Sequence, residues 1–391
     1  MNYTVTQNNK RIAIAMMAIG VLSIGYGFMF HPEREWSNLL VDNFFFMAIS
    51  LCGTFFVAVN YVAQAGWSAV VKRVPEAMGQ FLPVSAIVML VLFFVDGHNL
   101  YHWTHKELFD PASPEYDKII AGKAGWLNMP FFVSRMVLYF AVWIGLTRIF
   151  RKESIAEDLD GDIKHYRKCL TYGALFIIFF AASSSTSAWD FLMSIDTHWF
   201  STMFGWYTFA GLFVSGLSVI TLITIYLKSR GYMPEVNENH LHDLGKFMFA
   251  FSVFWTYLWF CQFMLIWYAN LPEEVVYFQA RWEHGYKIIF IGNFFINFCM
   301  PFLVLMARDT KRNLKYLVAG ALIIFCGHWM DVFLMVMPGT VGAEWGIGIP
   351  EIGTFLAFAG LFIWIVFHSL TKAALVPKHH PMLSESLHHH I

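Results

Sequence analysis

Four stretches of this chain place hydrogen-bonding or ionisable side chains inside sequence that is otherwise apolar. In AASSSTSAWDFLMSIDTHWFSTMFGWY, Ser183, Ser187 and Asp190 stand at i, i+4 and i+7, with Thr186 at i+3. On a helix all four share one face. A hydroxyl both donates and accepts hydrogen bonds, so such a row can order water toward a carboxylate. Small hydroxyl residues also pack helix against helix, which is the second reading of the same stripe. In CGHWMDVFLMVMPG, His328 and Asp331 lie at i and i+3. Histidine titrates near neutral pH, so this pair reads either as a proton relay or as a mutually satisfied structural pair.

The third stretch, LGKFMFAFSVFWTYLWFCQFMLIWYANLPEEVVYF, buries Gln262 and then crowds Tyr268, Asn270, Glu273 and Glu274 at its end, where Pro272 stops the helix. The two glutamates read as interfacial charges or as the mouth of a proton path. The fourth, VDGHNLYHWTH, gathers Asp96, His98, His102 and His105. Haem held by two histidines draws them from facing helices, and here only His328 and His368 lie in apolar segments, at different depths. The i, i+4 spacing of His98 and His102 leaves zinc open. Hydrogen bonding to a quinone headgroup or to a partner protein is the other use. Arg135, alone in an apolar run, either snorkels to the surface or pairs with Asp190 or the Glu273 region. Each ionisable group inside a bilayer costs about 2.5–3.5 kcal/mol, so each requires a reason.

The surrounding elements are membrane helices. Hydrophobic residues make up 58% of the 391-residue chain and charged residues 14%, against about 25% charged in a soluble domain. A spanning helix needs roughly 20 apolar residues. Ten stretches qualify, at 12–30, 44–63, 77–95, 129–146, 170–188, 203–227, 247–270, 288–306, 317–337 and 352–370. The first is too long for the core of a signal peptide and is read as a retained helix. Lys and Arg residues divide 19 on the side of the N-terminus and 6 on the other, with Arg135 inside the membrane. That asymmetry sets both termini in the cytoplasm. The connection 148–169 is polar and reads as a surface helix or loop, and no soluble domain is expected anywhere.

The five cysteines lie in or beside apolar segments without a CxxC pair, so they read as small apolar residues rather than cluster ligands. A net charge of −1 with no basic run gives no argument for nucleic acid. Transporters commonly break helices near the midplane. Here Pro83, Pro130 and Pro301 lie toward helix ends, which weighs against transport.

The segments MSIDTHWFSTMFGWY and LGKFMFAFSVFWTYLWFCQFMLIWYANLPEE resemble the NrfD/PsrC-like membrane subunits of alternative complex III, a quinol:cytochrome c oxidoreductase. The resemblance runs through GHWMDVF and its following proline, covers the ten-helix chain, and is strongest to the type labelled quinone-binding subunit 2. It implies an all-α polytopic fold in the bacterial inner membrane, with helices 2–5 and 6–9 forming two four-helix bundles. The implied partners are an iron–sulfur protein, c-type haem proteins, a paralogous NrfD-like membrane protein of the same complex and a terminal oxidase, besides lipid. Haem c and iron–sulfur clusters would reside in those partners, and none in this chain. Polar half-channels for protons would run through Asp190, Gln262, Tyr268, Glu273, Glu274, His328 and Asp331, with the Ser183–Thr186–Ser187 stripe beside them.

The resemblance also implies an alternative, a menaquinol site built from Asp96, His98, His102 and Arg135. The quinol-binding paralogue is expected to carry an acid at the start of helix 4. This sequence has Asn128 there, whose neutral amide cannot accept a quinol proton. The expectation is therefore a scaffold and proton-conducting component. The topology is directly checkable: with the native cysteines removed, an impermeant thiol reagent applied outside should label a cysteine at position 110 and not one at 155, and the reverse pattern would overturn the assignment.

Overall fold

The computed structural model describes residues 3–390. The protein is all-helical, and among the described residues ten helices are long and apolar enough to cross a membrane. They are α1 (Gln7–Phe30), α2 (Pro32–Val62), α3 (Arg73–Leu100), α4 (Met129–Asp160), α5 (Ile163–Phe191), α6 (Met203–Ser229), α7 (Glu238–Ala269), α8 (Tyr286–Leu305), α9 (Leu314–Thr340) and α10 (Ile349–Leu370).

The expected ten segments are these ten helices, but several are longer than hydropathy alone suggests. α2 begins at Pro32, a residue suited to the first turn, with Glu33 and Glu35 beside the positive end of the helix dipole. Its polar residues Glu35, Asn38, Asp42 and Asn43 are buried inside the protein rather than outside the membrane. The polar connection after α4 is helical on both sides of a single joint. Gly161 ends α4 in the left-handed conformation at φ +69°, and Asp162 caps α5 through the Lys164 amide at 2.9 Å. α8 carries a π-turn at Phe295–Cys299 just ahead of Pro301. α3 steps through a 3₁₀ turn at Gly79–Phe81 and kinks at Asp96.

Packing arranges the helices as two closed rings. α2, α3, α4 and α5 each touch the next, and α5 returns to α2; α6, α7, α8 and α9 do the same. The rings join where α2 packs against α6 and α9, and α5 against α6. This is the two-bundle arrangement that the resemblance implied. α1 and α10 lie outside both rings as an antiparallel pair resting on α2. Small residues allow their contact: a Cβ on Gly20 would stand 2.5 Å from Ala357, and one on Gly353 only 2.0 Å from the Ser23 Cβ.

Both chain ends reach the same face, as an even number of spans requires. Tyr3 packs edge-on against Tyr232, which follows α6, and tilts against Phe367 near the end of α10. Glu76 collects a buried ion cluster on this face, accepting from Arg73 at 2.9 Å, Arg151 at 3.0 Å and Ser154 at 2.6 Å.

The segment after α10 then folds back across both bundles. Lys378 N–H donates to Asp158 (2.8 Å), the Ser386 hydroxyl donates to the Trp67 carbonyl (2.7 Å), and His389 meets Asp243 on α7 (2.7 Å). His380 sits between the Tyr61 and Tyr166 rings at 5.8 and 5.4 Å. Burial, with Lys72 and Arg73 outweighing Glu76, pushes its pKa down to about 3. The bound form thus excludes the proton that the free tail takes up near pH 6.5, so docking is strongest above pH 6.5 and weakens as the pH falls toward 3. Between pH 6.5 and 5 the loss should be about 2 kcal/mol. Amide exchange across residues 378–389 should therefore accelerate at pH 5 in the native chain and much less in His380→Phe.

Candidate functional site: a buried acid in each bundle

Each bundle places one carboxylate on its last helix and surrounds it with a tyrosine, a tryptophan and a third donor. In the first bundle the acid is Asp190, in the final turn of α5. Arg135, two turns into α4, grips it with both arms of the guanidinium, Nε–H to Oδ2 and Nη2–H to Oδ1, each at 2.8 Å. Trp126 Nε1–H donates at 2.9 Å and the Tyr139 hydroxyl at 3.1 Å. The remaining guanidinium arm donates to the Trp126 carbonyl at 3.1 Å, and the cation stacks over Trp126 and Phe131 at 4.1 and 4.2 Å. Both partners are buried. Of the alternatives for Arg135, the structure selects pairing with Asp190.

The hydroxyl stripe leading to this acid shares one side of α5, with Ser183 and Ser187 buried and Thr186 half-buried. Its hydroxyls are engaged locally. Ser183 accepts the Trp143 indole N–H at 3.0 Å, while Thr186 and Ser187 donate back to the carbonyls of Ala182 (3.0 Å) and Ser184 (3.2 Å). In this arrangement the stripe packs helices.

In the second bundle the acid is Asp331, in the second half of α9. The Tyr207 hydroxyl from α6 donates to Oδ1, as does the Asn293 amide from α8 at 2.8 Å, and Trp255 Nε1–H from α7 donates to Oδ2 at 3.0 Å. Asn297 donates to Asn293 in turn. All these donors are neutral. The nearest base is His328, one turn earlier, with Nδ1 at 3.8 Å from Oδ2. Neither ring nitrogen of His328 has a hydrogen-bonding partner, although the residue is only 2% exposed. Trp255 holds the imidazole edge to face at 5.2 Å.

A small cavity of about 20 Å³ adjoins Asp331, bounded also by Gln262, Tyr207, Asn293 and Arg281, and a volume of that order admits a single water. Arg281 closes its outer side and repairs a defect in α9. Pro338 has no N–H, which frees the carbonyl four residues earlier. Arg281 Nε–H donates to that Leu334 carbonyl at 2.9 Å and Nη2–H to Met335 at 3.0 Å, while Nη2 also reaches Asp196 at 3.1 Å.

The remaining predicted residues do not join either acid. Tyr268 is 85% exposed, because six residues beyond Gln262 a helix has turned well past its opposite side. Glu273 is exposed and Glu274 half-buried in the first turn of a surface helix, Pro272–Ala280, a position where acids favourably meet the helix dipole. Asp96 accepts from Asn99 at 2.6 Å at the kink of α3. His98 and His102 are exposed; His98 meets the Thr104 hydroxyl at 2.9 Å. α3 ends at Leu100 and His102 lies in a 3₁₀ turn, so the helical spacing that left zinc open is not realised. No group of three or more metal-binding side chains occurs among the described residues. Asn128 caps α4, accepting the Phe131 amide at 3.0 Å.

A third polar thread, absent from the expectations above, runs between the bundles and α10. Trp329, next to His328, donates to Asp42 on α2 at 2.7 Å, and the other Asp42 oxygen has no hydrogen-bonding partner. Above it Thr354 donates to Glu35 at 2.6 Å, and Glu351 accepts from Arg34 (2.8 Å) and Asn38 (3.1 Å). The signal was the spacing of Glu35, Asn38 and Asp42 at i, i+3 and i+7, which marks one helix face.

No protein-family model matches this chain, and no curated protein matches it. The multi-pass membrane architecture and the two buried acids therefore carry the functional argument.

The two acids should respond differently to mutation. Removing one member of a buried ion pair leaves the other charge uncompensated, at a cost of about 3–5 kcal/mol. Arg135→Met should lower the thermal midpoint in detergent sharply, and the double variant Arg135→Met/Asp190→Leu should recover most of that loss. Equal destabilisation by the single and double variants would contradict the pairing.

Proposed function

We propose that this chain is the membrane-embedded coupling component of a respiratory quinol:cytochrome c oxidoreductase of the alternative complex III type, in a bacterial inner membrane. In this reading it provides scaffold and a proton-exchanging group, and the redox centres belong to its partners: an iron–sulfur protein, c-type haem proteins and a paralogous ten-helix membrane protein. The sequence resemblance and the two-bundle architecture support the placement. The observation that carries the proton role is the contrast between the acids. Asp190 is neutralised by an arginine fork, whereas Asp331 is held by neutral donors beside a histidine whose two nitrogens lack protein partners.

The chemistry follows from that contrast. A carboxylate locked to a guanidinium gains little from protonation, because the proton would have to displace charge-assisted hydrogen bonds. Asp331 has no such lock. Its oxygens accept from phenol, amide and indole, and each can turn away or be shared when the acid takes a proton. His328 lies slightly beyond direct hydrogen-bonding distance at 3.8 Å, a gap bridged by a single water or a small side-chain rotation. A proton arriving at Asp331 then passes to the imidazole nitrogen, restoring the carboxylate and leaving imidazolium. Trp329 and Asp42 continue the polar thread toward α2.

Asn128 disfavours quinol oxidation by this chain, since its amide is neutral and already serves as the α4 cap.

The test is the proton stoichiometry of the intact complex in vesicles. Asp331→Asn should preserve assembly and quinol:cytochrome c electron transfer while lowering the protons moved per electron, and His328→Gln should do the same. An unchanged ratio in both variants would reduce Asp331 and His328 to packing.

A further inference from the structure

Apart from the two acids, the feature that asks most clearly for a ligand is a cavity of about 290 Å³ on the face opposite the chain ends. It lies between the connection from α3 to α4 and the connection from α5 to α6. Its walls are mainly aromatic: Trp126, Trp189, Trp199 and Phe200, with Met193 at one side. Gly122 and Gly125 form part of the lining, and a Cβ on either would meet nothing within 4 Å, so that side is open. Trp126 and Phe200 are 38% and 59% exposed. Tryptophan in this setting marks the level of lipid headgroups.

The Ser194 and Thr197 hydroxyls in the lining are spent on the Asp190 and Ser194 carbonyls, and the other polar side chains of the cavity are nitrogen donors. Trp126 gives its indole N–H to Asp190. The indole N–H groups of Trp189 and Trp199 are buried and have no acceptor, and Trp199 as a whole is 2% exposed. Stacking on Tyr277 at 3.9 Å fixes the Trp199 ring. Lys123 donates to the backbone carbonyls of Thr197 and, at 3.4 Å, Trp199. Among the described residues its ammonium makes no ion pair with a carboxylate, and the nearby Asp117 is taken by His198 at 2.6 Å. Unused indole donors plus an ammonium that lies 5.6 Å from the Phe200 ring centroid and has no carboxylate in direct contact among the described residues, set in aromatic walls, call for an anionic oxygen acceptor attached to an apolar body. A phosphodiester with acyl chains meets all three requirements. A neutral ring ketone would satisfy the donors and leave the charge of Lys123 unanswered.

We propose that this cavity holds the phosphodiester headgroup of an anionic phospholipid, with Lys123 and the indole N–H groups of Trp189 and Trp199 as its donors. The acyl chains leave along the exposed aromatic side. A lipid seated here lies next to the ring of Trp126, which contacts both Arg135 and Asp190, so its headgroup braces the outer end of the first bundle. Nothing in this site depends on proton transfer at Asp331.

The experiment is native mass spectrometry of the full-length chain titrated with phosphatidylglycerol, phosphatidylcholine or diacylglycerol. The native chain should retain phosphatidylglycerol best and diacylglycerol least. Lys123→Gln should weaken phosphatidylglycerol binding roughly tenfold, and Lys123→Arg should hold it near the native level. Trp199→Phe and Trp189→Phe, which keep an aromatic ring and delete the N–H, should each weaken it several-fold. Equal retention of the three lipids, or unchanged binding in Lys123→Gln, would overturn the proposal. Efficient competition by inorganic phosphate would assign the site to a soluble anion instead, and displacement by an uncharged quinone irrespective of the Lys123 charge would assign it to a quinone.

Discussion

The contact on which the molecule depends is the close approach of α2 and α6. At Gly216 a side chain would stand 2.1 Å from the Cβ of Cys52, so glycine is required for these helices to lie where they do. The Cys52 thiol donates to the Phe213 carbonyl across the same contact at 3.5 Å. Helices in a membrane gain little from hiding apolar surface, since lipid is as apolar as leucine, and close backbone approach supplies the packing instead. With α2 and α6 clasped, the first helix of each bundle is withdrawn from lipid, and the remaining helices close around them.

That withdrawal explains where polar residues are tolerated. α2 carries Glu35, Asn38, Asp42 and Asn43 into the protein, each nearly inaccessible. On a lipid-facing helix such residues would be costly to insert. Here each one meets a hydrogen-bonding group from another helix: Thr354 on α10, Glu351 on α10, Trp329 on α9 or the Ser85 carbonyl on α3. Much the same holds for Arg281, which enters from a surface helix and donates to the Leu334 carbonyl left unpaired by Pro338 and to the neighbouring Met335 carbonyl.

The two bundles use one plan with different outcomes. Both set an acid on their last helix and aim a tyrosine and an indole at it. In the first, an arginine completes the set and fixes the charge, with aromatic faces stacked on the cation. In the second, the Asn293 amide takes the place of the arginine, and a histidine stands nearby whose ring nitrogens have no hydrogen-bonding partner. A fixed ion pair is a brace, whereas in the proposed function the acid among neutral donors, next to an unbonded imidazole, is the group that exchanges a proton. On that proposal, the difference between brace and exchange site lies in that one substitution of partners.

The sequence alone determined the number of helices, their alternation and the chemistry of their odd residues, because lipid imposes length and apolarity on every span and basic residues sort to one side. His328 with Asp331, and Ser183 with Asp190, were legible because helical periodicity is local. What tertiary structure decided was partnership. Whether Arg135 reaches Asp190, and whether Gln262 or Tyr268 faces the interior, depends on how neighbouring helices rotate about their axes, which no single helix specifies. The early start of α2 was hidden for the same reason: acids read as surface until another helix covers them. Sequence placed the polar residues in the apolar spans, and packing gave each acid its neighbours: an arginine for Asp190, and neutral donors with His328 close by for Asp331.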